Sequence, residues 1–345
     1  MRLGGTHECS SLRGGRTTYL EFPCLGMMPK TSPSLPIRLT TDRLTLGKVS
    51  GPLSKRAERG FFLVVQLAFQ ITLFFLTALC ASHAGEASPV PHRTEENIPY
   101  RSWEAADEET KERCALDIHS PEGGKDLPVI IWFHGGGLTE GKRFLPEELK
   151  NQGVVVVTPG YRLSPGVKSP AYVEDAAAAV AWVFANIAQY GGSPDKIYLS
   201  GASAGGYLAA MVGLDKKYLA AHGIDADQIA GLVPLTGQMV THFTVRQERG
   251  GSNLQPVVDE MAPLYHVRKD APPILVITGD RELELWGRYE ENAYFVRMMR
   301  VVGHPDITLY ELQGHDHGET TPTGNRLLLR HVKTKCGLLG QEKSS

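Results

Sequence analysis

Residues Gly201-Ala202-Ser203-Ala204-Gly205 fit G-x-S-x-G, a pattern that presents a serine as a nucleophile. A serine hydroxyl reacts poorly at neutral pH unless a base takes its proton. A sharp strand-to-helix turn lifts the side chain to where a histidine can reach it, and small residues two positions either side allow that turn. Lys196 to Ser200 reads as a short buried strand, and Ala204 to Met211 as a helix of small residues, which is the setting the motif requires. Ser203 is therefore the candidate nucleophile.

Attack on an acyl group creates a tetrahedral oxyanion, which needs N–H donors fixed in advance. His134-Gly135-Gly136-Gly137 directly follows the apolar run ending at Phe133. A glycine run lets the backbone approach closely with its N–H groups exposed. The expected donors are the amides of Gly135, Gly136 and Ala204. No G-K-[ST] follows, so the run does not read as a phosphate loop. His134 precedes the nucleophile and reads as a hydrogen-bonder that shapes the loop.

The base is expected late in the chain, in Gly314-His315-Asp316-His317-Gly318, where His315 and His317 compete. The His-Asp-His cluster also suggests a metal, but no partner ligands with site spacing are evident, so no metal is expected. The acid that orients the histidine should follow the strand ending at Thr278. Asp280, Glu282 and Glu284 all lie within register there. Asp280 could instead cap the turn, and Glu284 could be a solvated surface charge.

These groups need a frame. From about residue 110 short β-branched runs alternate with helical patterns, which predicts a mostly parallel sheet flanked by helices. Candidate strands are Cys114–His119, Pro128–Phe133, Val154–Thr158, Ile197–Ser200, Ile229–Leu235, Ile274–Thr278 and Ile307–Glu311. Candidate helices are Ala171–Gln189, Ala204–Leu214, Arg288–Val302 and Arg326–Lys335. The less regular stretch Asp215–Ala271 reads as a small cap or substrate-binding loop. Within it, Met239, His242 and Phe243 are candidate pocket residues, because they follow a strand on the side where strand C-terminal ends open to ligand.

Together with Val129–Gly137 and Gly201–Gly205, the stretches Pro159–Pro165, Asp175–Trp182 and Gly191–Ile197 make the chain resemble the α/β-hydrolase superfamily. The likeness is to its hormone-sensitive-lipase-like and feruloyl-esterase-like carboxylesterases, and it runs through most of residues 112–320. It implies an α/β-hydrolase fold and ester hydrolysis through an acyl-serine, without metal or organic cofactor. In typical relatives the acid lies three residues after the equivalent of Gly279, which selects Glu282, with Asp280 as its rival. The usual histidine loop selects His317 over His315. The chain departs from common members in having Glu282 where Asp is usual, and in His317-Gly318-Glu319, where an aromatic often follows. By the same resemblance Tyr161, Arg162 and Asp175 support loops rather than chemistry.

The rest of the chain reads differently. Residues 1–60 carry ten basic against four acidic side chains and no sustained periodicity, so they read as a disordered or mis-started extension. Lys55, Arg56 and Arg59 precede an uncharged run from Phe61 to Leu79, and small residues end at Ala84. That order predicts a secretory signal over 61–84 and an exported protein. The alternative is a membrane anchor, if 61–79 is uncleaved. Residues 85–110 are expected as a linker and 111–345 as the catalytic domain. The remainder after residue 60 carries 26 basic against 34 acidic side chains, which gives no support for a nucleic-acid partner. Cys114 and Cys336, the cysteines beyond the signal, read as free thiols, with pairing as the alternative.

The expected activity is therefore a serine carboxylesterase acting on short acyl or acylated-carbohydrate esters, with a small-molecule or polysaccharide-linked ester as partner. A small amidase such as an arylformamidase, or an exopeptidase, is the alternative on the same fold. A non-catalytic binding protein is the rival from another class.

Overall fold

The computed structural model describes residues 90–104 and 106–339, and residue 70 alone outside that range. The expected extension 1–60, the signal segment 61–84 and residues 85–89 otherwise lie outside the described residues.

The described residues form an eight-stranded sheet in the order β1-β2-β4-β3-β5-β6-β7-β8. The strands are β1 His92–Pro99, β2 Ala115–Pro121, β3 Leu127–Phe133, β4 Val155–Pro159, β5 Gly192–Ala202, β6 Gly231–Leu235, β7 Ile274–Gly279 and β8 Ile307–Leu312. β2 pairs antiparallel with both β1 and β4, and every other pairing is parallel. The helices used below are α1 Glu108–Arg113, α2 Ala171–Asn186, α3 Ala204–Leu214, α4 Phe243–Glu248, α5 Arg288–Val301 and α6 Thr320–Lys335.

Residues 85–110, expected as a linker, are corrected by this architecture. His92–Pro99 is the edge strand of the sheet, and α1 begins at Glu108. The strand escaped notice because His-Arg-Thr-Glu-Glu-Asn-Ile-Pro is polar and mostly exposed, and an edge strand needs little apolar patterning. The interior strands behave as expected. β3 is buried from Pro128 to Phe133, because helices cover both faces of a parallel sheet.

Alternate residues of β3 enter separate cores. Val129, Ile131 and Phe133 pack with α2 and α3, whereas Ile130 and Trp132 pack with α6. Cys114 lies in the first core and Cys336 against the second, so the sheet separates them and both are free thiols. The Trp132 indole N–H donates to Oδ1 of Asn325 at 3.0 Å, a buried bond between residues 193 apart in sequence. It fixes α6 to the strand that leads into the glycine run.

Candidate active site

β3, β5, β7 and β8 are parallel members of one sheet, so their C-terminal ends share one edge. That edge is the usual ligand side of such sheets. The glycine run leaves β3, Ser203 follows β5, Glu284 follows β7, and His317 follows β8.

Ser203 sits between β5 and α3 with φ 55° and ψ −115°. This backbone is costly for a residue with a Cβ, by about 1–3 kcal/mol. Surrounding structure holds it there: the Ser203 N–H donates to the Leu235 carbonyl at 2.9 Å, and its carbonyl accepts from Tyr207 N at 3.0 Å. A Cβ at Gly205 would overlap the Phe133 carbonyl and come within 2.7 Å of the His134 carbonyl oxygen. Glycine is therefore what allows the turn and the glycine run to pack together.

The run itself lies beside Ser203. A Cβ on Gly135 would stand 3.5 Å from that of Ser203. Among the described residues, the N–H groups of Gly135 and Gly136 donate to no backbone carbonyl, while the Gly136 carbonyl accepts from Thr139 and Glu140 at 3.0 Å each. Ala204, the third expected donor, is buried as the first residue of α3. His134 stacks on Tyr161 at 4.3 Å between centroids, and its Nδ1 donates to the Gly135 carbonyl at 2.7 Å. Burial pushes its pKa down to about 4, so it is a neutral strut for the loop. Tyr161 donates its hydroxyl to the His134 carbonyl at 2.8 Å. Asp175, fully buried, holds Arg162 through two bonds of 2.8 Å and Arg101 through another of 2.8 Å.

The acid and histidine loops meet at Glu284 and His317. Nδ1 of His317 donates to Oε1 of Glu284 at 2.5 Å. The Glu284 side chain is 1% exposed and that of His317 23%. Burial opposes ionisation of Glu284. The bonds to His317 and Leu285 N, with the Arg288 charge, outweigh it and hold the carboxyl below its ordinary pKa. With Nδ1 committed as donor, Nε2 of His317 is the nitrogen left to accept a proton.

Two expectations for the acid are corrected here. Glu282 points into solvent, and its backbone N–H donates to Oδ1 of Asp280 at 2.9 Å. Asp280 is a clamp between loops: its Oδ2 accepts from Gly314 N at 2.8 Å, and its own N–H donates to the His315 carbonyl at 2.9 Å. The reason is a helical turn. Glu284 N donates to the Asp280 carbonyl at 2.9 Å, which brings residue 284 back under the end of β7 and turns 282 outward. Gly279 makes room for this return, since a Cβ there would lie 2.7 Å from the His315 carbonyl oxygen and 3.0 Å from Glu284 Oε2.

The histidine alternatives separate clearly. His315 is held away from the acid, with Nδ1 on the Gln313 carbonyl and Nε2 on the Thr323 hydroxyl, both at 3.1 Å. Among the described residues, no group of three His, Cys, Asp or Glu side chains is arranged to hold a metal.

Of the expected pocket residues, Phe243 lines the cavity beside Leu285 and Trp286, and Met239 and His242 do not line it. Met239 is fully buried in the main core. His242 is 1% exposed and caps α4, its Nδ1 accepting from Thr244 N at 3.2 Å. These are corrections: the chain after β6 turns inward, so a Met and a His that look available from sequence serve packing and capping. The cavity, of about 390 Å³, lies between the 238–256 segment and residues 285–291. Leu285 and Trp286 on its wall were missed as candidates; their place directly after Glu284, the carboxylate bonded to His317, is the signal that could have found them.

Comparison with known proteins agrees with this architecture. The BD-FAE family model matches residues 116–232. The chain is 30% identical over 235 residues to Esterase LipC of Mycobacterium tuberculosis, covering 59% of this chain and 58% of that protein. It is 28% identical over 214 residues to the probable carboxylic ester hydrolase LipM of the same organism, covering 55% of this chain and 49% of that protein. The chain thus spans about half the length of the curated relatives it matches. Among solved structures, a truncated carbohydrate esterase from gut microbiota superposes with a TM-score of 0.60 at 19% identity, covering 73% of this chain and 99% of that one. Propionate-bound esterase 2 of Thermogutta terrifontis superposes with a TM-score of 0.56 at 22% identity, covering 72% and 97%. The mostly parallel sheet, the turn at Ser203 and these likenesses give the chain an α/β-hydrolase fold, similar in sequence to the BD-FAE family and to proteins named as esterases.

Proposed function

We propose that the protein is a serine carboxylesterase working through an acyl-serine. The observation that carries this reading is the 2.5 Å bond from His317 to the buried Glu284, on the sheet edge that also holds the strained Ser203. In this mechanism Ser203 Oγ attacks the ester carbonyl as Nε2 of His317 takes its proton. Glu284 holds the tautomer and stabilises the imidazolium. The amides of Gly135, Gly136 and Ala204 receive the oxyanion. The alcohol leaves with the proton from His317. Water then attacks the acyl group along the reverse path, releasing the acid and restoring the serine.

Relatives and structural neighbours named as esterases, one of them a carbohydrate esterase, support short acyl or acylated-carbohydrate esters as substrates. The residue order over 55–84 supports export, which the mass of the native N-terminus tests. The decisive experiment on the activity is Ser203→Ala against short 4-nitrophenyl esters, with intact-mass detection of a fluorophosphonate adduct on the wild-type protein. Hydrolysis at the wild-type rate by Ser203→Ala overturns the assignment.

A further inference from the structure

The cavity beside the proposed triad has apolar walls and an unbalanced floor. Phe243, on one wall, lies against the glycine run, for a Cβ on Gly137 would meet its ring at 3.0 Å. Leu285 and Trp286, on the other, directly follow Glu284. The cavity is therefore continuous with the loops that carry the proposed chemistry.

Its floor holds Gln238, Arg246, Arg288 and Glu291. Glu291 is saturated: Oε1 accepts from Arg288 Nε at 2.8 Å, and Oε2 from the N–H groups of Met239 and Val240 at 3.0 Å each. Arg288 gives a further N–H to the Thr236 carbonyl. Arg246 has no such balance. It is 6% exposed, yet it donates only to the carbonyls of Asn253 and Gln255, and its Nε is buried without a partner. Among the described residues no carboxylate forms an ion pair with it, and burial lowers its pKa from the ordinary guanidinium value. Gln238 commits its carbonyl to Phe243 N at 3.1 Å, leaving its NH₂ as a donor. Glu290, the other acid on the lining, pairs with Arg281 at 3.1 Å. The floor therefore carries two guanidiniums against one carboxylate, together with the Gln238 NH₂ as a spare donor.

A buried charge without a counter-ion is unfavourable, and a carboxylate on a guanidinium is the strongest complement available to it. Resting on the esterase reading, we propose that this cavity takes a substrate arm ending in a carboxylate, with an apolar spacer against Phe243 and Trp286 and the anion at Arg246 and Gln238. The substrate class is then a half-ester of a dicarboxylic acid, or an ester similarly extended by an acid.

The test compares kcat/KM for 4-nitrophenyl hydrogen adipate and hydrogen suberate with that for the hexanoate and octanoate of matching length. At least one charged ester should be favoured by about tenfold or more over its neutral partner, as a charge-assisted bond supplies. Arg246→Met should lower that ratio about tenfold, Arg246→Lys should restore part of it, and Gln238→Leu should lower it less. If the Arg246 variants fail to fold, the wild-type ratio and Gln238→Leu decide. Neutral esters preferred at both lengths, or a ratio that neither substitution moves, would overturn the subsite while leaving the esterase reading in place. Inertness to all four esters, with no fluorophosphonate label on Ser203, would overturn that reading and the subsite with it.

Discussion

Glu284 and His317, separated by a strand and a helix in the chain, share a hydrogen bond of 2.5 Å with the carboxylate almost fully buried. Glu284→Ala should lower kcat by about 10²–10⁴ because the imidazole loses its tautomer and its counter-charge. Glu282→Ala, on an exposed side chain, should stay within about twofold of wild type. Steady-state kinetics on one short ester, with circular dichroism to verify folding, separates the two. A larger loss from Glu282→Ala would return the acid to position 282.

Asp280 ties the acid loop to the histidine loop through Gly314 N at 2.8 Å. Asp280→Ala should therefore reduce kcat by about tenfold while leaving KM close to wild type, since geometry is loosened and no substrate contact is lost. The same change should lower resistance to denaturant only slightly, because the backbone donors it frees, Gly314 N and Glu282 N, are exposed and rebond to water. Stability lost with kcat intact would make Asp280 a scaffold residue only.

The backbone of Ser203 sits at φ 55°, where a side chain is disfavoured. Ser203→Gly should abolish ester hydrolysis yet raise stability by about 1 kcal/mol, because relieved strain exceeds the added freedom of the unfolded chain. Differential scanning calorimetry reads this as a higher Tm for the inactive variant. A lower Tm would show that the turn is not strained.

His134 is kept neutral by burial, with a pKa near 4 against an ordinary value of about 6.5. Its folded pKa lies below the unfolded one, so the unfolded chain binds more protons between those values. Stability is full above about pH 6.5 and falls as pH drops toward 4, by about 3 kcal/mol at most from this group. His242 and His119, both lowered first by burial, act in the same direction. Glu284, held below its ordinary value, loses its contribution in a lower window, under the usual carboxylate range. Urea unfolding between about pH 7.5 and 4.5 should show the decline, and His134→Gln should flatten it. An unchanged slope in that variant would remove His134 from the account.

Most of the frame was legible because its signals are local. β3, β4, β6 and β7 are near-continuous apolar runs, and α3 matches its expected limits, Ala204–Leu214, because small residues pack closely behind the turn. The places of Ser203 and the glycine run beside strand ends were legible for the same reason: Ser203 directly follows β5 and the run directly follows β3, while His317 lies in the loop after β8. The carboxylate that reaches His317 was not, because its position depends on how residues 279–284 wind. Counting along the loop reaches Glu282, but the bond from Glu284 N to the Asp280 carbonyl winds it by one turn, so 284 arrives where 282 was expected. β1 escaped because a polar edge strand has no apolar period. α6 begins at Thr320, six residues before the expected Arg326, because its first turn follows the histidine loop and reads as a continuation of it. Met239 and His242 misled because sequence shows residue type at the correct sheet end but not which way the chain turns afterwards.

The bond from Trp132 to Asn325 joins the strand feeding the glycine run to the final helix. During synthesis the serine turn and the glycine run leave the ribosome well before the segment that carries His317. The proposed triad is therefore complete only once α6 docks, and a nascent chain halted before α6 would carry Ser203 without the histidine loop secured. Chain order would then keep the proposed nucleophile from its proposed base until α6 has docked.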